Sequence, residues 1–283
     1  MYTRLVAATL ILLFALVTPV SAITNGQPDQ YNQFPYVGMV TFYNATWNYL
    51  WRCSGTLLSP TVFLTAGHCT APDPPDVPVH AKVWLNWDLT LLEYPYEYPT
   101  NNPCGPYPDK CWTGTPYTHP EYKSPFAHGL PGFITHDVGV VVLDGPAVPM
   151  GTLDQYANLP GEGVVNTLPM RTTVMVVGYG VQHRIRGSPP NPWAGLRIRY
   201  FAPSSLIQSN DVIRDEFMKL TANPSQGKGG TCFGDSGGPD LLGETKTVLA
   251  VTSFGSNYNC AGVGYYYRID SNDALQFIKS FLH

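Results

Sequence analysis

The chain has 283 residues, of which only 13% are charged, and its formal net charge is −4. It has no run of basic residues, which argues against nucleic acid as a partner, since surfaces that bind nucleic acids are basic. Glycine and proline occur 27 times each. This indicates many turns and favours a β-rich fold over a helical bundle.

Residues 1–22 have the pattern of a secretory signal peptide. Arg4 gives a positive start, Leu5–Val17 is apolar, and residues 20–22 (VSA) are the small residues typical of a signal-peptidase site. The apolar run is too short to span a membrane as a helix, and no later segment is apolar enough to anchor the chain. We therefore expect a secreted, extracellular product that begins at Ile23 and has no membrane contact after signal removal.

All six cysteines follow the predicted signal peptide, at positions Cys53, Cys69, Cys104, Cys111, Cys232 and Cys260. An even number in an exported chain predicts three disulfides, but spacing alone leaves fifteen pairings open. The short interval between Cys104 and Cys111 suggests one small disulfide-closed loop. No pair has the C-x-x-C spacing of a zinc site. We therefore expect no metal.

In the first half, short β-branched and aromatic runs between turn signals predict five strands. Between residues 86 and 133 this pattern breaks down into Pro, Tyr, Asn and Gly, so we expect an irregular insertion there. A linker is expected over 144–163. The predicted strands are Tyr36–Tyr43, Trp51–Leu58, Thr61–Thr65, Val79–Leu85 and His136–Leu143.

The second half contains five further short runs with the character of strands, and this spacing is typical of sandwiches and barrels. The C-terminus differs, because Ser271 can cap a helix whose apolar residues recur on one face. The sequence therefore predicts two β-rich halves and a closing helix. The predicted strands are Met170–Gly180, Leu196–Phe201, Phe217–Thr221, Val248–Ser253 and Tyr265–Ile269.

Residues 230–239 (GTCFGDSGGP) surround Ser236 with glycines on both sides. Glycine permits positive φ and close approach of another chain, so this stretch can present a serine hydroxyl at a tight bend. It can also aim several N–H groups at one point, as an oxyanion hole does. A serine is a weak nucleophile at neutral pH and needs a neighbouring base, which the rest of the chain has to supply.

A candidate for that base lies in one of three distinctive segments of the chain. TAGHC around His68, HDVGVVVL around Asp137 and GDSGGP around Ser236 resemble the signature segments of the chymotrypsin-like (trypsin-family) serine proteases, in the family's chain order. The resemblance implies an all-β fold of two six-stranded antiparallel β-barrels with a short C-terminal α-helix. Residues 23–150 would form the barrel with His68 and Asp137, and residues 151–283 the barrel with Ser236.

The resemblance also assigns roles to individual residues. Ser236 would attack the scissile carbonyl, His68 would accept its proton, and Asp137 would orient the imidazole. The N–H groups of Gly234 and Ser236 would form the oxyanion hole, and Ser253 would support the aspartate. The chain is thus expected to be a serine endopeptidase that acts on protein or peptide substrates through an acyl-enzyme, without metal or organic cofactor. Protein inhibitors would be further partners. We expect a monomer.

Two kinds of pairing follow from the same resemblance. The disulfides would be Cys53–Cys69 beside the histidine and Cys232–Cys260 beside the serine, in addition to the Cys104–Cys111 loop. The free amine of Ile23 would pair with Asp235 to order the oxyanion hole. Because the expected signal-peptidase cut falls directly before Ile23, we hypothesise that export itself generates the active terminus.

The specificity pocket can be assigned in the same way. Gly230 would be its floor, and its walls would be Ser253, Phe254, Gly255 and Gly264. With no carboxylate at the floor, the pocket favours a large apolar side chain over Lys or Arg, since burying an unpaired cation is unfavourable. Two alternatives stay open: an elastase-like or narrow-specificity protease with the pocket partly filled by Phe233 or tyrosines, and a catalytically silent secreted binding homologue.

Several residues depart from the family pattern or stand outside it. The insertion at 86–133 lengthens the interval between the histidine and the aspartate, and Asp240 stands where the family has an apolar residue. Glu93 and Glu97 fall where some members bind calcium, but without matching flanks they are interpreted as solvated loop acids. We interpret His136 as non-catalytic because neighbours on a strand face opposite ways, and His119, like the remaining histidines, as a surface or core residue.

Overall fold

The computed structural model describes residues 23, 25–72, 74–90, 104, 111–123, 134–147, 155–181, 183–184, 193–194, 197–209, 216–223, 227–256 and 260–282. The predicted signal peptide, Glu93, Glu97 and the predicted boundary at residue 150 lie outside these ranges. None of the helices within them is long and apolar enough to cross a membrane.

Six strands of the first half form a closed antiparallel barrel: β2 (Val37–Tyr43), β3 (Tyr49–Leu57), β4 (Val62–Thr65), β5 (His80–Trp84), β6 (Cys111–Thr118) and β7 (Gly139–Leu143). Their order around the barrel is β2-β3-β4-β7-β6-β5. Apolar and β-branched residues fill these strands, and every residue of β2 and of β4 is buried.

Strand β6 corrects the expectation that residues 86–133 are irregular throughout. Its sequence, CWTGTPYT, does not alternate clearly and contains Gly114 and Pro116, so it lacks a local strand signal. The strand forms because β5 pairs with one edge and β7 with the other. Gly114 is required there, since a Cβ would lie 2.9 Å from the Val141 side chain. Barrel closure therefore decides this strand, and local propensity does not.

Six strands of the second half form the other barrel: β8 (Thr173–Gly178), β11 (Tyr200–Gln208), β12 (Phe217–Ala222), β13 (Pro239–Leu242), β14 (Val248–Gly255) and β15 (Gly262–Arg268). Their order is β8-β11-β12-β15-β14-β13, and pairing of β13 with β8 closes the barrel. The short strand β1 (Gln27–Pro28) is added to β11, and β9 (His183–Arg184) forms a separate hairpin with β10 (Trp193–Ala194). The predicted pair of six-stranded antiparallel barrels is confirmed.

In this half, one strand was predicted at the wrong position and another was not predicted. The strand expected at Leu196–Phe201 begins at Tyr200 and runs on to Gln208, because its pairing with β8 extends to Ser205 and includes Pro203. Strand β13 was missed, since its four residues PDLL begin with a proline and include Asp240. Pairing with β8 and β14 on its two edges forms it.

Three short helices complete the chain: α1 (Gly67–Thr70), α2 (Val164–Thr167) and α3 (Asn272–Lys279). The predicted C-terminal helix α3 begins at the expected cap, where the Ser271 side chain accepts a hydrogen bond from Ala274 N at 3.2 Å. Leu275 and Ile278 are buried on its inner face. The larger apolar core contains side chains of both barrels, and a second cluster fills the C-terminal barrel.

Candidate active site

The pairing of β4 with β7 brings the histidine and aspartate segments to the same end of the first barrel. Thr65, the last residue of β4, is opposite Gly139, the first residue of β7. His68 lies in α1, just after β4, and Asp137 lies just before β7. Gly67 allows the two segments to touch, because a Cβ there would lie 3.0 Å from Val138 N. A short helix and a short turn thus face each other across the barrel end.

Asp137 is fully buried and accepts hydrogen bonds from two residues. The Nδ1 atom of His68 lies 3.0 Å from Asp137 Oδ2, and the backbone N–H of His68 donates to Oδ1 at 2.7 Å. The Ser253 hydroxyl also donates to Oδ2. This arrangement orients the imidazole so that Nε2 is directed away from the carboxylate, as a general base requires.

The electrostatics of the pair follow from burial and from these bonds. Burial by itself would lower the pKa of His68, but the charge and hydrogen bond of Asp137 outweigh it and hold that pKa above its usual value. Burial would likewise raise the pKa of Asp137. The charge and hydrogen bonds of His68, together with the Ser253 hydroxyl, keep it below its usual value instead. The pair is therefore arranged to stabilise an imidazolium next to a carboxylate.

The first barrel also positions the loop of residues 230–239, called the serine loop below, mainly through Ser54 on β3. Ser54 N donates to Ser236 O at 2.8 Å, and the Ser54 hydroxyl donates to Gly234 O at 2.9 Å. Gly237 has φ +78°, and a Cβ there would lie 2.6 Å from Ala66 N. Ser236 O is 3.7 Å from the sulfur of Cys69, the residue that follows His68. These contacts hold Ser236 beside the histidine segment.

The backbone of the loop leaves two N–H groups available. Gly234 has φ +93°, a conformation that glycine adopts freely. Within the described residues, neither Gly234 N nor Ser236 N donates to a backbone carbonyl. The intervening residue turns inward, where the Asp235 carboxylate accepts from Gly180 N at 2.7 Å and from Cys232 N at 2.9 Å. Such a pair of N–H groups can bind an oxyanion.

Comparison with known proteins agrees with this geometry. The family model Trypsin matches residues 23–87 and 113–278, which is well over half of the chain. The chain belongs to the trypsin family. The model leaves residues 88–112 unmatched, inside the segment that the sequence marks as an insertion.

Curated trypsin-family relatives are distant in sequence. "Venom serine protease Bi-VSP" of Bombus ignitus is 26% identical over 88% of this chain, which spans 66% of that protein's length, just under two thirds. "Serine protease 1" of Drosophila melanogaster is 26% identical over 84% of this chain and 77% of its own length. "Tryptase" of Mus musculus is 26% identical over 83% and 82%.

Solved structures share the fold at still lower identity. One titled "HL collagenase" superposes with a TM-score of 0.62 at 19% identity, covering 90% of this chain and 96% of that one. Human heparin binding protein superposes with a TM-score of 0.60 at 19% identity, covering 91% and 95%. At this identity the likeness concerns the trypsin-family fold alone.

The three predicted disulfides are present: Cys53–Cys69 and Cys232–Cys260, which the trypsin-family resemblance implies, and Cys104–Cys111, which its short spacing suggested. His68 lies beside the first of them, so that its ring and the two sulfurs form a group with metal-site dimensions. Both sulfurs are oxidised in the disulfide and cannot act as thiolate ligands. Within this group, therefore, only His68 could act as a metal ligand.

The residues predicted to line the trypsin-family specificity pocket lie on neighbouring segments. Gly255 and Gly264 are cross-strand partners on β14 and β15, and Phe254 stacks on Tyr265 at 4.6 Å between ring centroids. A Cβ at Gly264 would lie 2.5 Å from the hydroxyl of Tyr266. That hydroxyl is 3.2 Å from Thr231 Oγ1, and Thr231 follows the buried Gly230, the predicted floor.

Ile23 and Asp235, the predicted activation pair, are both fully buried. The Ile23 side chain belongs to the apolar cluster of the second barrel. Burial raises the pKa of Asp235 to about 7, although bonds from Cys232 N and Gly180 N and the charge of Arg52 oppose the rise. A carboxylate in this position would be stabilised by a neighbouring cation. The pairing itself stays a prediction.

The sequence interpretation of His136 rested on a wrong local structure. The predicted strand His136–Leu143 begins only at Gly139, and His136 has φ +51°, outside any strand. Its ring therefore does not follow strand alternation. It stacks on His119 with 4.9 Å between ring centroids, and its Nε2 meets two carboxylates, those of Glu121 and Asp273. Sequence spacing gave no sign of this cluster, because its members come from three separate segments.

Proposed function

We propose that this chain is a secreted serine endopeptidase that hydrolyses peptide bonds through an acyl-enzyme. The observation that carries the proposal is the bonding of His68 to a buried Asp137 that is further supported by Ser253. In the proposed reaction the Ser236 hydroxyl attacks the scissile carbonyl carbon while His68 accepts its proton. The same proton passes to the leaving amine, and water then hydrolyses the acyl-enzyme by the reverse route.

The oxyanion of each tetrahedral intermediate would be bound by the N–H groups of Gly234 and Ser236. Neither N–H group has a backbone acceptor among the residues that the structure describes, which supports this role, since a donor already engaged would have to break a bond before helping the reaction. Ser54, which holds the carbonyl groups of the same two residues, would keep both N–H groups aimed at one point.

We infer a preference for Phe, Tyr, Leu or Met before the cleaved bond. The proposed pocket has Gly230 at its floor and the paired Gly255 and Gly264 in its walls, so the predicted lining residues that the structure describes offer no acidic side chain for Lys or Arg. Phe233 is 45% exposed, which argues against a ring that fills the pocket. The narrow-specificity alternative would instead depend on Tyr266, whose hydroxyl borders Gly264.

We propose that residues 1–22 direct secretion and that their removal during export also generates the active terminus. The new Ile23 amine, with a usual pKa near ~8, would pair with Asp235. This would add an ion pair to the buried Asp235 carboxylate, in the domain of residues 151–283, where two backbone hydrogen bonds and the charge of Arg52 only partly offset its burial. N-terminal sequencing of the secreted protein tests the cut, and a start upstream of Ile23 would contradict it. Full activity in a protein with one extra residue before Ile23 would contradict the role of the amine.

Covalent labelling tests the enzymatic proposal against the catalytically silent binding homologue. An organophosphate should label the mature protein once, at Ser236, with loss of activity. Ser236→Ala should remove labelling and lower kcat by several orders of magnitude while the fold is retained. Ser280→Ala, a matched change of an exposed serine at the C-cap of the closing helix, should alter neither result. An unlabelled, inactive wild type with the native fold would favour the binding homologue.

A cleavage profile on a peptide library tests the specificity separately. Cleavage after large apolar residues is expected. A profile dominated by small residues would favour the elastase-like alternative, and cleavage after Arg would contradict the assignment of Gly230 as an uncharged floor.

A further inference from the structure

Four titratable side chains from distant parts of the chain converge on the outer side of the segment that carries Asp137. His119 and Glu121 lie in the turn after β6, His136 lies before β7, and Asp273 lies in the first turn of α3. His136 Nε2 is 3.4 Å from Glu121 Oε2 and 3.3 Å from Asp273 Oδ2. His119 Nε2 is 3.2 Å from the same Asp273 oxygen.

We propose that Glu121, His136 and Asp273 form a binding site for a zinc-class divalent cation, with His119 as an orienting residue. One ligand atom from each of the three residues lies within 4.8 Å of the others. Tetrahedral zinc with bonds of about 2.1 Å separates its ligand atoms by about 3.4 Å. The two measured distances from His136 Nε2 agree with that value, so an ion could enter between the three atoms with little movement.

The donor set also suits such an ion. The two carboxylates would formally neutralise a 2+ charge, and the neutral imidazole nitrogen favours zinc over magnesium or calcium. Glu121 and Asp273 are 69% and 55% exposed at their side chains, which gives an ion access and leaves room for water as a fourth ligand. In the described part of the chain, the only side chains that can carry positive charge and pair with these two acids are His119 and His136.

His119 has the geometry of a residue that orients a ligand. It is 4% exposed, and its Nδ1 accepts a hydrogen bond from Glu121 N at 3.2 Å. The proton of the neutral ring is therefore on Nε2, which donates to Asp273 Oδ2. A hydrogen bond of this kind fixes the direction of a ligating carboxylate. The same nitrogen cannot bind the ion while it carries the proton.

The backbone around the site is held independently of any ion. Lys123 and Thr135 exchange two backbone hydrogen bonds of 3.2 Å, which keep the Glu121 turn next to His136. His119 N donates to Val138 O at 3.1 Å, and His136 N donates to Glu216 Oε2 at 3.2 Å. The ligands are thus supplied by a preformed scaffold. An ion there would tie α3 to the segment that leads into Asp137.

Zinc binding can be measured directly on the inactive Ser236→Ala protein, which avoids autolysis and makes the test independent of the proposed protease activity. Titration calorimetry with zinc chloride at pH 7.5 should give one saturable site per chain. Zinc at 100 times its Kd should lower the unfolding equilibrium constant about 100-fold, seen as a rise in Tm.

Variants locate the ion. Glu121→Gln changes an exposed side chain, and His136→Asn keeps a residue that tolerates positive φ, so both should fold. Each should weaken zinc binding by more than the 10–100-fold that is typical for loss of an orienting partner, and His119→Gln should fall within that range. His80→Gln, a histidine stacked on Trp47 outside the site, should leave the Kd unchanged.

Three outcomes would overturn the proposal: no saturable zinc binding, an unchanged Kd in both Glu121→Gln and His136→Asn, or loss of binding only when His68 is replaced. The last result would place the ion at the proposed catalytic imidazole instead.

Discussion

A buried arginine that joins both barrels provides a sharp test of how the fold is held together. Arg199 is fully buried, and its Nε donates to Asp29 Oδ2 at 2.7 Å. Its Nη1 donates to Val37 O at 2.8 Å and to Leu85 O at 3.0 Å, both in the first barrel, and lies 3.2 Å from the Tyr179 hydroxyl in the second. Arg199→Met keeps most of the volume and removes every one of these bonds.

The expected loss can be worked out from what remains after the change. Asp29 would keep two backbone donors, Gln33 N at 2.6 Å and Phe34 N at 3.1 Å, so its charge would be partly compensated. The carbonyl groups of Val37 and Leu85 would each lose a charged donor. Breaking a buried ion pair from one side costs about 3–5 kcal/mol, and we expect about 4 kcal/mol. At about 2–4 °C per kcal/mol for a chain of this size, Tm should fall by about 8–16 °C.

Urea unfolding of the Ser236→Ala protein, with its disulfides intact, measures this loss. Arg171→Met is the matched control, since Arg171 is exposed, and it should change the free energy of unfolding by less than about 0.5 kcal/mol. Asp29→Asn combined with Arg199→Met should lose less than the sum of the two single variants, because the buried charge is no longer left alone. A loss below about 1 kcal/mol in Arg199→Met would refute the reasoning.

Three further predictions concern pH and specificity. The value of kcat/KM should rise with pH through a pKa above the usual one of His68, because Asp137 outweighs burial there; a flat profile between pH 6 and 9 would point to another base. Burial raises the pKa of Asp240 well above its usual value, with a hydrogen bond from Thr252 opposing and Asp235 adding to the rise. The protonated Asp240 carboxyl therefore stabilises the folded state, and this contribution is fully present below the unfolded pKa. As pH rises above that value, the free energy of unfolding falls by about 1.4 kcal/mol per pH unit until the folded pKa is reached. Urea unfolding at a series of pH values should show a smaller decline in Asp240→Asn, and an equal decline in both proteins would contradict it. Finally, Gly230→Asp should increase kcat/KM for substrates with Lys or Arg before the cleaved bond, and no increase would count against the floor assignment.

The residues proposed for catalysis could be found from the sequence because each is embedded in a short, distinctive segment. Glycines beside Ser236 and Gly67 beside His68 are required by local geometry: positive φ at Gly237 and close approach at Gly67. Such requirements restrict these positions to glycine, so they can be recognised in the sequence itself. The cap of α3 at Ser271 is local in the same sense.

Other features cannot be recognised from the local sequence, because they depend on residues that are far apart in the chain. Strand β6 exists through pairing with β5 and β7, and Ser54 becomes important only where β3 meets the serine loop. His136 appeared to belong to a strand, yet its positive φ turns the ring toward His119 and α3. Nothing in a linear pattern reports a contact between residues 121, 136 and 273.

The family, the two-barrel class, the closing helix and the segments around His68, Asp137 and Ser236 could thus be predicted from the sequence. Each of these depends on residue types within a few positions of one another. The Arg199 network, the partners of Asp235 and Asp240 in the second barrel, and the cluster at His136 became visible only in the folded chain. Burial and charge pairing act between side chains that chain closure brings together, and the barrels bring them together from opposite ends of the sequence.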